Sequence, residues 1–168
     1  MIRIADRFTL PRPAAEVWAL LEDPEGFARC IPTLKRATWR GRDEAEGIVG
    51  VTLGAVPVES RVTIRVVERR PGERIAAEGL SHLGETVEAL RDGRPGTVGR
   101  SEAGRIRVVF DLSPDGAGGT ALEYEATVEA SGRLARIYES IARLKAPALQ
   151  AEFRERIGAA LVEKATPL

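Results

Sequence analysis

The feature that most constrains this chain is a change of period. Up to residue 129 its apolar residues recur mostly at every second position, and from residue 133 to residue 163 they recur three and four apart. The first period belongs to strands with one buried face, the second to a helix. In the C-terminal segment Leu134, Ile137, Tyr138, Ile141, Leu144 and Ala148 share one face, and Leu149, Phe153, Ile157, Ala160 and Leu161 form a second stripe rotated from the first. Pro147 lies between the stripes, where it lacks the amide hydrogen and crowds the carbonyl of Arg143, so a kink or two abutting helices is expected rather than one straight rod. Hairpin-linked strands make an antiparallel sheet with one face to cover, and a single long amphipathic helix is available to cover it. The expected class is therefore α+β: a curved antiparallel sheet of about six or seven strands around a helix at 133–163, all in one domain, 1–168.

The remaining elements follow from local patterning. Residues 2–10 read as the first strand, ended by Pro11 and Pro13. Ala14 to Leu21 is a run of good helix formers. Asp23 and Pro24 suit the N-cap and first position of a second short helix, which Pro32 closes. Strands are expected at 33–42, 46–54, 56–67, 73–79, 105–112 and 122–129, with a turn at Arg69-Arg70-Pro71-Gly72 and a hairpin through residues 114–119. Leu80, Leu83, Val87 and Leu90 have helical spacing, but Gly84 and the cluster from Asp92 to Gly96 favour a loop, so 81–104 reads as an atypical hairpin or loop insertion.

Charge and cysteine content remove several function classes. Basic and acidic residues number 25 each, which withholds the global field that nucleic acid wants, so no nucleic-acid partner is expected. The single cysteine, Cys30, makes neither an internal disulfide nor a multi-thiolate zinc site, and with one histidine no metal and no cofactor is expected. No stretch approaches a membrane span and the N-terminus does not read as a signal peptide, so a cytoplasmic location is expected.

Local motifs add a family. Phe8-Thr9-Leu10-Pro11-Arg12-Pro13, Glu16 to Leu21, Asp23-Pro24-Glu25 and Cys30-Ile31-Pro32 resemble the N-terminal signature of the carbon monoxide dehydrogenase G-subunit family, with Thr33 where that family has glycine. Tyr124-Glu125-Ala126, the Gly132 junction, Leu134-Ala135 and Glu152-Phe153 are similar too. That family lies within the START and birch-pollen-allergen helix-grip superfamily (SRPBCC, polyketide cyclase-like). The resemblance implies a cavity for a lipid- or quinone-like molecule. It also implies a role beside a molybdenum-containing carbon monoxide dehydrogenase-like oxidoreductase, at or near the inner membrane face. Membrane-anchoring members carry an apolar C-terminal tail, whereas this chain ends at Leu168 without one.

The expected ligand site is an apolar cavity between the last helix and the inner strand faces, lined by some of Val58, Val62, Phe110, Tyr124, Tyr138 and Ile141, with Lys145 at its mouth or paired to Glu152. The two tyrosine hydroxyls would orient a ligand or be satisfied by backbone. No catalytic residues are expected; the alternative is a cyclase- or hydrolase-like enzyme with a tyrosine and a carboxylate in the same cavity. His82, near Glu85 and Glu88, reads as a solvated loop residue. Cys30 reads as buried at a helix end, Trp18 as packing, and Arg69-Arg70 as a solvated turn. The basic excess on the last helix reads as a solvated face, and the glycines at 41, 47, 50 and 54 match no phosphate loop.

Overall fold

The computed structural model describes residues 1–83 and 103–165. Its elements run β1 (Ile2–Leu10), α1 (Ala14–Glu22), α2 (Pro24–Ala28), β2 (Leu34–Arg40), β3 (Glu44–Leu53), β4 (Val56–Arg70), β5 (Arg74–Leu83), β6 (Ala103–Pro114), β7 (Thr120–Glu129) and α3 (Gly132–Ala165). The seven strands form one antiparallel sheet in the order β1-β7-β6-β5-β4-β3-β2. The short helices therefore carry the chain from one edge strand to the other, and the sheet then returns strand by strand to close beside β1. This is the curved-sheet, long-helix architecture that the change of period predicts, a helix-grip fold.

Two strands run further than their alternation shows. β4 is longer than its alternation shows, running to Arg70. β5 extends to Leu83, so Leu80 and His82 belong to a strand rather than to a loop or a helical turn. His82 pairs with Arg61 on one side and Ala103 on the other, and is half-buried. The rest of the 81–104 expectation, with Glu85 and Glu88, lies outside the described residues. Gly79 marks the closest strand approach: a Cβ there would collide with the carbonyl oxygen of Thr63. Gly132, with φ of 63°, turns the chain from β7 into α3 in a conformation that favours glycine.

The helix is a second correction. α3 runs unbroken from Gly132 to Ala165 with Pro147 inside it, so there are not two abutting helices. Pro147 is exposed, which spares its ring from core packing, but the carbonyl of Arg143 still loses its amide partner.

Two apolar clusters fix the helix to the sheet. The larger joins Phe8, Leu10, Val17, Trp18, Leu20, Leu21, Cys30, Leu112, Leu122, Tyr124, Phe153, Ile157 and Leu161, and places α1 between the sheet and the C-terminal half of α3. The smaller joins Val58 and Leu134, with Val51, Leu53, Ala130, Ile137, Tyr138 and Ile141 against them. It seats the N-terminal half of α3 on the β3–β4 hairpin. Between these anchorages the inner faces of the middle strands are only half-buried.

Candidate functional site: an apolar cavity under the short helices

The half-buried strand faces line a cavity of about 440 Å³. Its floor is the concave face of the sheet: Val62, Ile64 and Val66 from β4, Ile75 and Ala77 from β5, Ile106, Val108 and Phe110 from β6, and Tyr124 and Ala126 from β7. These positions share one face because side chains two apart on a strand point the same way. Leu21, Phe27 and Ile31 from the α1–α2 region roof it, Trp39 closes one flank, and Phe153 is the residue of α3 that reaches it. A volume of this size lies in the range that holds a small organic ligand.

The inner end is aromatic. Phe27 meets Phe110 and Phe153 edge-on, with centroids 5.4 and 6.3 Å apart, and Tyr124 meets Phe153 at 5.3 Å. Such edge contacts hold the rings in defined positions. Tyr124 is the wall's phenol. Burial pushes its hydroxyl above the ordinary phenol range, and a hydrogen bond to Gln150 draws it part of the way back. Behind it the inward-facing carboxylate of Asp6 takes two hydrogen bonds from Arg154, at 2.8 and 2.7 Å.

The rim carries charge that is internally balanced. Arg69 Nη1 lies 2.7 Å from Asp43 and Arg69 Nε 3.2 Å from Glu22, while Arg42 reaches Glu22 at 3.1 Å. Arg69 is one-fifth exposed, and its Nε is shut from solvent without hydrogen-bond geometry to any partner. Reading Arg69 as a solvated turn residue is therefore corrected. The β4–β5 register shifts between Val66 and Glu68, and the extra residue turns Arg69 onto the face of its partner Ile75. Alternation carried straight through residue 67 hides that turn.

Of the residues expected at the site, the structure brings Val62, Phe110 and Tyr124 to the cavity. Val58, Tyr138 and Ile141 stand together elsewhere, in the smaller cluster under the start of α3. Tyr138 hydrogen-bonds there to the buried Ser60, 3.3 Å away, and to the buried Ser81. Its hydroxyl is thus satisfied by side chains rather than by backbone. Lys145 is half-buried on α3 and is no part of the cavity wall. Cys30 is 1% exposed, its thiol directed at the carbonyl of Gly26, and burial raises its pKa above the ordinary thiol range. Among the described residues no group of three or more His, Cys, Asp or Glu side chains is placed to hold a metal ion. No helix among them is long and apolar enough to cross a membrane.

Comparison with known proteins agrees with this architecture. A conserved protein from Geobacillus kaustophilus superposes with a TM-score of 0.75 at 20% identity, over 97% of each chain. A protein from Arthrobacter aurescens gives 0.63 at 18% identity, over 99% of this chain and 89% of its own. TTHA0849 from Thermus thermophilus gives 0.60 at 13% identity, over 98% and 100%. At such identities the likeness is one of fold. No curated protein matches the sequence. One family covers residues 1–163, nearly the whole chain, and to it this protein belongs: the polyketide cyclase / dehydrase and lipid transport family.

Proposed function

We propose that the protein binds an apolar, lipid- or quinone-like small molecule in the cavity under α1 and α2, and that it carries or presents this molecule without transforming it. The observation that carries the reading is the composition of the wall. Valine, isoleucine, alanine and phenylalanine side chains from four adjacent strands meet in one space, and a single phenol interrupts them away from the rim. Apolar area removed from water contributes about 25 cal/mol per Å², so a hydrocarbon or isoprenoid needs no charged anchor to bind here. The Tyr124 hydroxyl would set orientation more than affinity.

The enzymatic alternative requires an acid and a base facing the ligand. The rim carboxylates Glu22 and Asp43 are both held by arginines, and Asp6 by Arg154, which favours binding over turnover. The finer proposal, service to a carbon monoxide dehydrogenase-like molybdenum oxidoreductase, rests on the sequence signature around Pro11 and Pro32. Co-purification with such an enzyme from the native host is its test.

For the cavity, the test is Ala77→Trp, which puts an indole on the floor from the middle strand β5. A neutral fluorescent probe such as N-phenylnaphthylamine should bind the parent and lose at least about tenfold in affinity on the variant. Equal binding to both folded proteins, or binding to neither, would defeat this assignment. Native mass spectrometry of the parent should also show a co-purifying apolar compound.

A further inference from the structure

The sheet has two edges, β1 and β2, and they are not alike. β1 is engaged from outside the sheet: Gln150 of α3 donates to the carbonyl of Ala5 at 3.1 Å, and Arg154 holds Asp6. At β2, among the described residues, the backbone of residues 35–40 bonds only to β3. Every residue from Lys35 to Arg40 is exposed. Such an edge is a template for a further strand, and chains ordinarily blunt it with charge or a bulge.

β2 has both. Its register shifts between Leu34 and Arg36. Residues 26–42 hold five cations, Arg29, Lys35, Arg36, Arg40 and Arg42, and no carboxylate, in a chain that is neutral as a whole. Arg40 is paired with Glu46 and Arg42 with Glu22, whereas Lys35 and Arg36 make no ion pair among the described residues. Register sets Arg36 on the outer face of the sheet, in line with Ile48 and Arg61. Lys35 lies on that face too, its stem against Gly50 beside the stem of Glu59.

Trp39 does not suit a purely defensive edge. It is 38% exposed and sits on the opposite face, in line with Ala45 and Ile64. A groove of about 540 Å³ follows β2 here, with Arg29 and Arg156 on its helix side and a single carboxylate, Glu25. Arg156 is already tied to Glu152 and to the carbonyl of Arg29. An edge that had only to repel strands would gain nothing from an exposed indole, whereas protein interfaces are enriched in tryptophan and arginine.

We propose that β2 docks an extended acidic segment of a partner protein, which joins the sheet as a further strand with carboxylates towards Lys35 and Arg36 and apolar side chains towards Ala37 and Trp39. This goes beyond the apolar-ligand reading and does not depend on it. Main-chain hydrogen bonds would supply affinity, and the alternating side chains specificity. Like charges facing each other across a strand pair destabilise it, so the cations that reject a second β2 attract an acidic strand. The partner is therefore not another copy of this chain, whose β2 carries the same cations and whose β1 is engaged by α3.

The test is fluorescence anisotropy with a short labelled peptide that alternates valine and glutamate. Two controls keep its length: one has lysine for glutamate, and one keeps glutamate but has its backbone nitrogens methylated, so that it cannot pair. The parent should bind the acidic peptide at least about tenfold more tightly than either control. Added salt should weaken that complex. A Lys35→Glu/Arg36→Glu variant, changed only at exposed positions, should melt as the parent does and prefer the lysine peptide. Hydrogen exchange of parent amides within 36–40 should slow when the acidic peptide binds. A methylated peptide that binds as tightly would make β2 a surface for any anion, an anionic bilayer included, and would overturn strand addition. Equal binding of the lysine peptide, an unchanged preference in the double variant, unslowed exchange, or failure of the acidic peptide to bind at millimolar concentration would each overturn it as well. N-phenylnaphthylamine reports on the cavity separately, so either reading can fail without the other.

Discussion

Single residues here divide sharply by what their polar atoms do. Tyr138 joins Ser60 and Ser81, both nearly sealed from solvent, and so pins α3 to β4 and β5. Removing its hydroxyl leaves buried donors and acceptors without their partner, which costs about 1–3 kcal/mol. Tyr138→Phe should therefore lower stability by that amount in urea unfolding while leaving probe binding in the cavity unchanged. Tyr124→Phe should do the reverse, altering ligand preference more than stability. Cys30 gives a prediction about pH. Burial raises its thiol pKa above the unfolded value, so the folded state favours the protonated thiol. Its contribution is fully present below the ordinary thiol range and is lost as pH rises through it, because the unfolded chain then ionises more readily. Tyr124, raised by burial in the same direction, adds to the loss at still higher pH. Stability should thus decline on the alkaline side, and Cys30→Ala should flatten the first part of that decline. A thiol reagent at neutral pH should label Cys30 only at the rate of local or global opening.

At the scale of elements, Pro147 is the clearest departure from local propensity. A proline inside a helix costs about 3 kcal/mol relative to alanine, yet α3 continues through it. Packing at both ends of the helix outweighs that local cost, since each half buries its own apolar stripe. Pro147→Ala restores an amide to the carbonyl of Arg143 and removes no core contact, so it should stabilise by about 1–3 kcal/mol, read as a raised melting temperature. The same helix shows what sequence patterning reaches and where it stops. Alternation and helical spacing identify most strand faces and both stripes of α3, because those periods are properties of the backbone. They do not say which neighbour a face meets. β4 presents Val58, Ser60, Val62, Ile64 and Val66 on one side, but Val58 and Ser60 lie under α3 whereas Val62 to Val66 face open space. Val58, Tyr138 and Ile141 are therefore legible as inward-facing and not as belonging to a separate cluster. Arg69 escapes for another reason: it sits just beyond a shift in register, and a bulge reverses parity without a sequence mark as strong as glycine or proline.

For the molecule as a whole, the cavity is a place where binding and stability are set against each other. α1 and the two ends of α3 are packed to the sheet, and the space between is held open by the strands' curvature and by the charged rim. Walls that face a void forgo the dispersion contacts a filled core would make, and residual cavity volume destabilises by about 24 cal/mol per Å³. A chain under no demand to bind would gain from filling it. Ala77→Trp is then a test at this scale as well as a test of the site. The indole occupies space that is already there, so the variant should fold and be more stable than the parent, by about 1–3 kcal/mol for a side chain buried without displacing others. It should also lose the ligand response. A molecule bound only by the folded state stabilises the parent by about 2.7 kcal/mol at a hundred times its dissociation constant. Melting curves with and without N-phenylnaphthylamine should therefore separate for the parent and coincide for the variant, with the variant's ligand-free curve lying above the parent's. A variant that melts lower than the parent and still shifts with ligand would mean that the floor at Ala77 is tightly packed and that the ligand seats elsewhere. A variant that melts higher and no longer shifts would tie the open volume to binding and show that its retention costs stability.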